Sequence, residues 1–247
     1  MELEEYGRHF ALEDGHWWFR GRRALAARLL ALHLPRSPRP RILDLGCGTG
    51  ANLAALAARG DAFGCDLAEA ALGYCRRRGI ASLARADASG LPFKASSFDL
   101  VTLFDVLYHQ DIQSDVAVLG EVRRVLKTGG MCLITDSALP SLGGPHDEAF
   151  GARERYTRTT LKQRVERAGF QNIRLTYFYF IVFPAIFLVR QIHKLRFSAG
   201  SAPRSDLAPV SPWLNALLAR IMSWEAALAA QINLPLGSSI VCLARKE

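Results

Sequence analysis

The chain has 247 residues and a mass of 27.2 kDa, is 50% hydrophobic and 22% charged, and carries a formal net charge of +8. This excludes a wholly disordered chain, a collagen-like repeat and a disulfide-stapled miniprotein, and the length suits one α/β domain with an embellishment. The excess of 31 Lys+Arg over 23 Asp+Glu reads either as arginine-rich composition or as attraction to an anionic partner: nucleic acid, an acidic membrane surface or a phosphorylated substrate.

In chain order, the acidic opening lacks the basic segment and apolar run of a signal peptide. One helix is expected at 17–33, closed by the prolines Pro35, Pro38 and Pro40. A buried strand at 41–45 breaks into a glycine turn, followed by a helix at 52–59, a strand at 62–66, a helix at 69–78 and a strand at 82–86. A strong strand follows at 98–104, then a helix capped by Ser114 whose Val118, Val122 and Val125 share one face. Lys127 to Gly130 is expected to turn the chain into a strand at 131–135. A Pro/Gly loop at 140–145, a helix at 159–168 and a strand at 172–180 come next. Two apolar helices at 184–197 and 213–232, separated by a Ser/Pro/Ala loop at 198–212, precede a last strand at 238–244. Repeated β-α-β units argue for a parallel, doubly wound sheet with right-handed crossovers.

The five cysteines, Cys47, Cys65, Cys75, Cys132 and Cys242, form no C-x-x-C pair. Reduced thiols and a cytoplasmic location are therefore expected. No His/Asp/Glu group has ligand spacing, so no metal is expected. The longest uncharged stretch, 175–189, contains Pro184 and falls short of the roughly 20 residues that span a bilayer.

The chemistry concentrates in Asp44-Leu-Gly-Cys-Gly-Thr-Gly50, where a strand ends and a helix begins. Glycines at 46, 48 and 50 let the backbone approach a ligand, and the helix N-terminus offers unpaired N–H groups. Asp66 ends the next strand, where a carboxylate can accept both hydroxyls of a ribose. Asp87 follows the third strand, placed to accept from an adenine amine. The loop reads D-x-G-x-G-x-G rather than the dinucleotide pattern G-x-G-x-x-G, and no P-loop lysine is present.

These residues, with Asp87-Ala88, Leu91-Pro-Phe93, Ser97-Phe-Asp-Leu-Val101 and Val125-Leu-Lys-Thr-Gly-Gly130, resemble the class I S-adenosylmethionine-dependent methyltransferases of the type 11 kind, in order across 41–136. Thr128 stands where that family commonly has proline. The resemblance implies a Rossmann-like seven-stranded sheet with its last strand antiparallel. It also implies one domain over 1–247: an N-terminal helical cover at 1–40, a cofactor-binding core at 41–136, and an acceptor-side half at 137–247 with a helical insertion at 181–235. It further implies that S-adenosyl-L-methionine binds with Gly46, Cys47, Gly48 and Gly50 around its methionine part. Asp44 would hold the ammonium directly or through water, Asp66 the ribose and Asp87 the adenine amine, with Leu67 and Ala88 flanking the ring. Asp105 would lie below the sulfonium and the acceptor.

Ahead of the core, Trp17 and Trp18 either wall the site or pack on the core, and Arg20 or Arg23 is expected to pair with the cofactor carboxylate. His146 is the first candidate for a general base. His109 is read as a wall residue before a base, and Tyr156 lies in the loop that lines the acceptor. No Pro-Pro-Tyr-type motif follows Asp105 and no RNA module is visible, so nucleic acid is disfavoured. The run from Tyr177 to Val189, followed by Arg190, His193, Lys194 and Arg196, suits either a greasy acceptor channel with peripheral contact at the inner face of a membrane, or a helical hairpin that only packs or dimerises. The expected activity is methyl transfer to oxygen or carbon of a small or lipid-like acceptor by a monomer or homodimer. The alternative is a non-catalytic S-adenosylmethionine-binding protein that uses the insertion as an interface.

Overall fold

A computed structural model describes residues 3–34, 37–144, 147, 151–196 and 209–247. All seven predicted strands form: β1 (Arg41–Leu45), β2 (Asp61–Asp66), β3 (Leu83–Arg85), β4 (Phe98–Phe104), β5 (Leu126–Ser137), β6 (Gln171–Phe178) and β7 (Ser239–Arg245). They make one sheet in the order β3-β2-β1-β4-β5-β7-β6. Strands β1 to β5 pair in parallel, and β7 runs antiparallel to both β5 and β6. The central strands bury apolar side chains on both faces, for example Ile42, Leu43, Leu100 and Val101. That is why they read as unbroken apolar runs rather than alternating ones.

The helices are α1 (Leu3–Leu12), α2 (Trp17–His33), α3 (Ala51–Ala57), α4 (Glu69–Arg77), α5 (Asp115–Val125), α6 (Arg158–Arg167), α7 (Phe183–Arg196) and α8 (Pro212–Gln231). Ser114 caps α5 as expected, accepting from the Ala117 N–H at 3.3 Å. One face of the sheet packs Val118, Val122 and Val125 of α5 with Leu161 and Val165 of α6. The other packs Leu25 and Leu29 of α2 with Met222, Ala226 and Ala229 of α8. The helical insertion between the last two strands is thus present as α7 and α8; most of its connecting loop lies outside the described residues.

Two elements differ from the sequence reading. Helix α1 was not expected; its Phe10 ring lies 5.0 Å from Tyr74 of α4 and under the guanidinium groups of Arg77 and Arg78 at 4.8 and 4.6 Å. Strand β5 begins at Leu126, earlier than expected, and the turn expected at Lys127 to Gly130 lies within it as an irregularity, with Gly129 at φ 77° and a shift of register against β4. The N–H of Gly129 donates to the Lys246 carbonyl at 2.7 Å, and that of Lys246 to the Gly130 carbonyl at 3.0 Å, which holds this stretch against the chain end.

A buried carboxylate fixes the loop between β5 and α6. Asp115 opens α5 with no side-chain exposure, and Arg153 donates to its Oδ1 at 2.5 Å while Arg164 pairs with its Oδ2. The Tyr156 hydroxyl oxygen lies 2.9 Å from Asp115 Oδ2 and 3.0 Å from the Leu107 carbonyl. Because both arginines keep about 30% of their side chains in solvent, Asp115→Ala is expected to cost about 2–4 kcal/mol, below the loss for a fully buried pair. Urea denaturation of the two proteins measures this.

Candidate functional site

A cavity of about 1290 Å³ opens at the carboxyl ends of the parallel strands, where the strand order reverses beside β1. The chain after β1 supplies Gly46, Cys47 and Gly48, that after β2 Asp66 and Leu67, that after β3 Asp87 and Ala88, and that after β4 Asp105 to His109. Helices α1 and α2 close one side and α7 another.

The glycine loop and Asp66 form one unit. Asp66 Oδ2 accepts from the Gly48 N–H at 2.9 Å, and its Oδ1 from the Ala68 N–H at 2.9 Å. Burial raises this carboxyl above its ordinary range, and the two N–H groups oppose that shift. Gly46 needs its positive φ of 71°, and a Cβ there would lie 2.5 Å from Val106 Cγ2. Asp87 accepts from the Ser89 hydroxyl at 2.6 Å and the Ser89 N–H at 2.7 Å, hydrogen bonds that hold its carboxyl below the usual range. Leu67 and Ala88 lie on the cavity wall.

Asp44 lies beneath the loop rather than on the wall, 1% exposed. Thr102, its register partner on β4, donates to Oδ1 at 2.7 Å. Oδ2 has no hydrogen-bond partner among the described residues. Burial pushes this carboxyl up to about 7, with Thr102 and the nearby Arg22 pulling the other way.

Several expected site residues are elsewhere. Gly50 is off the cavity: it caps α3 with φ 91°, and a Cβ there would meet Cys75 Sγ at 2.9 Å, so its absent side chain serves packing against α4. Arg20 is exposed and lines, with Arg23, a separate cleft of about 740 Å³ between α2 and α3. Arg22, about 200° further round the helix, is the cation of α2 that reaches the cavity, and it pairs with Asp105. Its placement was legible in the helical period, since it shares a face with Leu25 and Leu29. Asp105 therefore lies at the cavity with its charge opposed by Arg22.

Tyr156 does not reach the cavity; it is wholly buried in the Asp115 cluster, and burial raises its hydroxyl far out of the working range. His146 lies outside the described residues. His109 is on the wall, its Nδ1 3.3 Å from the Asp111 N–H and 3.2 Å from Asp111 Oδ2, and burial lowers its pKa against the pull of Asp111 and Asp66. Trp17 and Trp18 do both things expected of them. They line the cavity, and Trp18 stacks on Tyr179 with centroids 3.7 Å apart and planes at 9°.

Glu13 was not singled out from the sequence. It accepts from the Thr49 hydroxyl at 2.5 Å and from Arg78 at 2.8 Å, while Arg78 Nε donates to the Thr49 carbonyl at 2.8 Å. This clamp ties the turn between α1 and α2 to the glycine loop. Tyr6, His9 and His16 line the same side, and only the unforeseen α1 brings the first two there. On the far side Val182, just ahead of α7, with Ile186 and Val189 of α7 and Leu218 of α8, makes an apolar stretch of wall, beside Arg155 and Arg190, both of which pair with Asp147.

Comparison with known proteins matches residues 43–134 to a methyltransferase domain family. The chain is 33% identical to the biotin biosynthesis bifunctional protein BioHC of Cellvibrio japonicus over 159 residues, 60% of this chain and 31% of that protein. It is 40% identical to a demethylmenaquinone methyltransferase of Clavibacter sepedonicus over 105 residues, 40% of this chain and 42% of that one. The chain thus spans less than half the length of these relatives. A SAM-dependent methyltransferase from Thermotoga maritima shares the fold with a TM-score of 0.60 at 19% identity, covering the whole of both chains.

The state of Asp44 gives a measurable slope. Its folded pKa of about 7 exceeds the ordinary 3.8, so its protonated form is favoured by folding. The contribution is complete below the unfolded value and is lost as pH rises through the folded one, on the order of 4 kcal/mol across the window. Asp44→Asn is expected to remove this share, so that ligand-free wild type loses more stability than the variant between about pH 5 and about pH 8 in urea titrations.

Proposed function

We propose that the chain is a class I S-adenosylmethionine-dependent methyltransferase that transfers a methyl group from S-adenosyl-L-methionine to oxygen or carbon of a small or lipid-like acceptor, a reading supported by the match of residues 43–134 to a methyltransferase domain family and by the sheet order. The observation that carries this reading is the Asp66 carboxylate. Two backbone N–H groups, one from the glycine loop itself, hold it at the cavity rim.

The residues present fit the cofactor. Asp44 Oδ2 is a buried acceptor in want of a donor, which an ammonium group supplies directly or through water. Asp66 retains acceptor capacity for the two ribose hydroxyls. Asp87 is held ionised by Ser89 and suits an adenine amine, with Leu67 and Ala88 on either side of the ring. The cavity volume of about 1290 Å³ exceeds that of common single-ligand pockets, leaving room for an acceptor.

When bound, S-adenosyl-L-methionine supplies an electrophilic methyl on a sulfonium and leaves as S-adenosyl-L-homocysteine. The chain's contribution is alignment and exclusion of water. Trp17, Trp18 and α7 close the space around the reacting end, and Arg22 offsets the Asp105 charge there, so that the floor is polar without a free anion. Proton removal from an acidic O–H or C–H falls to His146 or, less directly, to His109, whose Nδ1 is already engaged by the Asp111 N–H. The apolar wall made by Val182, Ile186, Val189 and Leu218 supports a greasy acceptor. The relative named as a demethylmenaquinone methyltransferase is in keeping with one.

The protein is to be incubated with methyl-labelled S-adenosylmethionine and a cell extract, which is then partitioned between organic solvent and water. Label is expected in a product of the organic phase, and no methylated product in any fraction contradicts the reading. Asp66→Ala is expected to weaken S-adenosylhomocysteine binding at least a hundredfold by calorimetry, about the loss of two charge-assisted hydrogen bonds.

A further inference from the structure

Helix α7 is one helix thick between the cavity and solvent. Val182, Ile186 and Val189 face the cavity, yet Ile181, Phe187 and Leu188 lie on the exposed side. The stretch 181–189 carries no charge on any side, and a segment apolar all round is ordinarily covered on all sides. Helix α8 beside it buries Ala219, Met222, Ala226 and Ala229, which pack against α2. Its opposite face presents Trp213, Leu217, Arg220, Trp224 and Leu228, a single stripe at helical spacing. Trp213 is 70% exposed and Trp224 73%, about 16 Å apart along the axis.

Charge distinguishes what would cover this surface. Between 181 and 234 the sequence holds Lys194, Arg196, Arg204 and Arg220, besides Arg190, which lines the cavity and pairs with Asp147 at 3.7 Å, against only Asp206 and Glu225. Glu225 is buried, its two carboxylate oxygens taken by the N–H groups of Phe180 at 2.8 Å and Ile181 at 2.9 Å. The insertion is therefore an apolar, tryptophan-bearing surface of cationic character, in a chain of net charge +8. Tryptophan at the edge of an apolar face, with basic residues and no exposed acid on the helices, is the chemistry of a helix lying in a lipid interface. A second copy of the same cationic surface would bring like charges together. No helix among the described residues is long and apolar enough to cross a bilayer.

We propose that the outer faces of α7 and α8 dock flat on an anionic phospholipid surface, with α7 as the wall shared by the lipid phase and the acceptor cavity. The proposal builds on the reading of that cavity as the place of a greasy acceptor. It gives the acceptor a route from the bilayer that avoids water.

The test is flotation of the full chain with vesicles of phosphatidylcholine alone and of phosphatidylcholine with phosphatidylglycerol, using wild type and Trp213→Ser/Trp224→Ser. Both substituted side chains are solvent-exposed and remote from the cavity lining, so S-adenosylhomocysteine binding by the variant is the control for folding. Wild type is expected to float with the anionic vesicles at low salt, at least fivefold more than with neutral ones, and to lose that excess at high salt. The double variant should lose most of the flotation and keep its ligand affinity. Docking is overturned if wild type stays unbound on anionic vesicles or if the double variant floats equally well. It is also overturned if sedimentation shows a wild-type dimer that the substitutions dissolve, since a second copy then covers the face. Failed flotation with ligand binding intact removes only the docking. Flotation without ligand binding removes only the enzyme reading.

Discussion

Burying carboxylates at one end of a parallel sheet is the constraint on which the rest of this structure turns. Asp44 on β1 and Asp136 on β5 have little or no access to water, and burial raises both, while Asp105 after β4, one third exposed, adds its charge beside Asp136. Arg22, itself buried, opposes Asp105 directly and acts on Asp44 through space. A charge in that position has to come from outside the sheet, so α2 must cross the strand ends. That crossing places Trp17 and Trp18 over the cavity and lets α8 pack on the helix's other side.

The two halves of the cavity follow from different physics. The side next to β1, β2 and β3 is built from hydrogen bonds: Gly48 and Ala68 on Asp66, Ser89 on Asp87, Thr102 on Asp44, and the Glu13–Arg78–Thr49 clamp that pins the cover to the loop. These groups have fixed directions, as a polar ligand of fixed shape requires. The side next to α7 combines aliphatic side chains with Arg155 and Arg190, both paired with Asp147, and its apolar part can accommodate acceptors by shape. The Glu225 carboxylate caps the chain leading into α7, so the insertion is anchored at its start by a buried polar contact.

The core of the fold was legible in the sequence because its strands are buried on both faces and its turns are marked by glycine. The bounds of α2 were legible from its apolar period and the prolines after it. Helix α1 was not, because ten residues make a marginal helix alone and the stacking of Phe10 on α4 supplies what the local pattern lacks. Asp44, Gly46, Gly48, Asp66 and Asp87 were legible as positions at or beneath the cavity. The departures are those of direction: Gly50 faces α4, Tyr156 points into the core, and Arg20 lies on the outer side of a helix whose Arg22 points inward. Side-chain direction depends on packing that spacing alone does not encode.

A crystal structure of the chain grown with S-adenosylhomocysteine tests the account most directly. The account predicts ribose hydroxyls on the Asp66 carboxylate, the amino-acid end over Gly46 and Gly48 above Asp44, and free space between the sulfur and the α7 wall. Ligand density in the cleft beside Arg20 and Arg23, or a ribose turned away from Asp66, would contradict it.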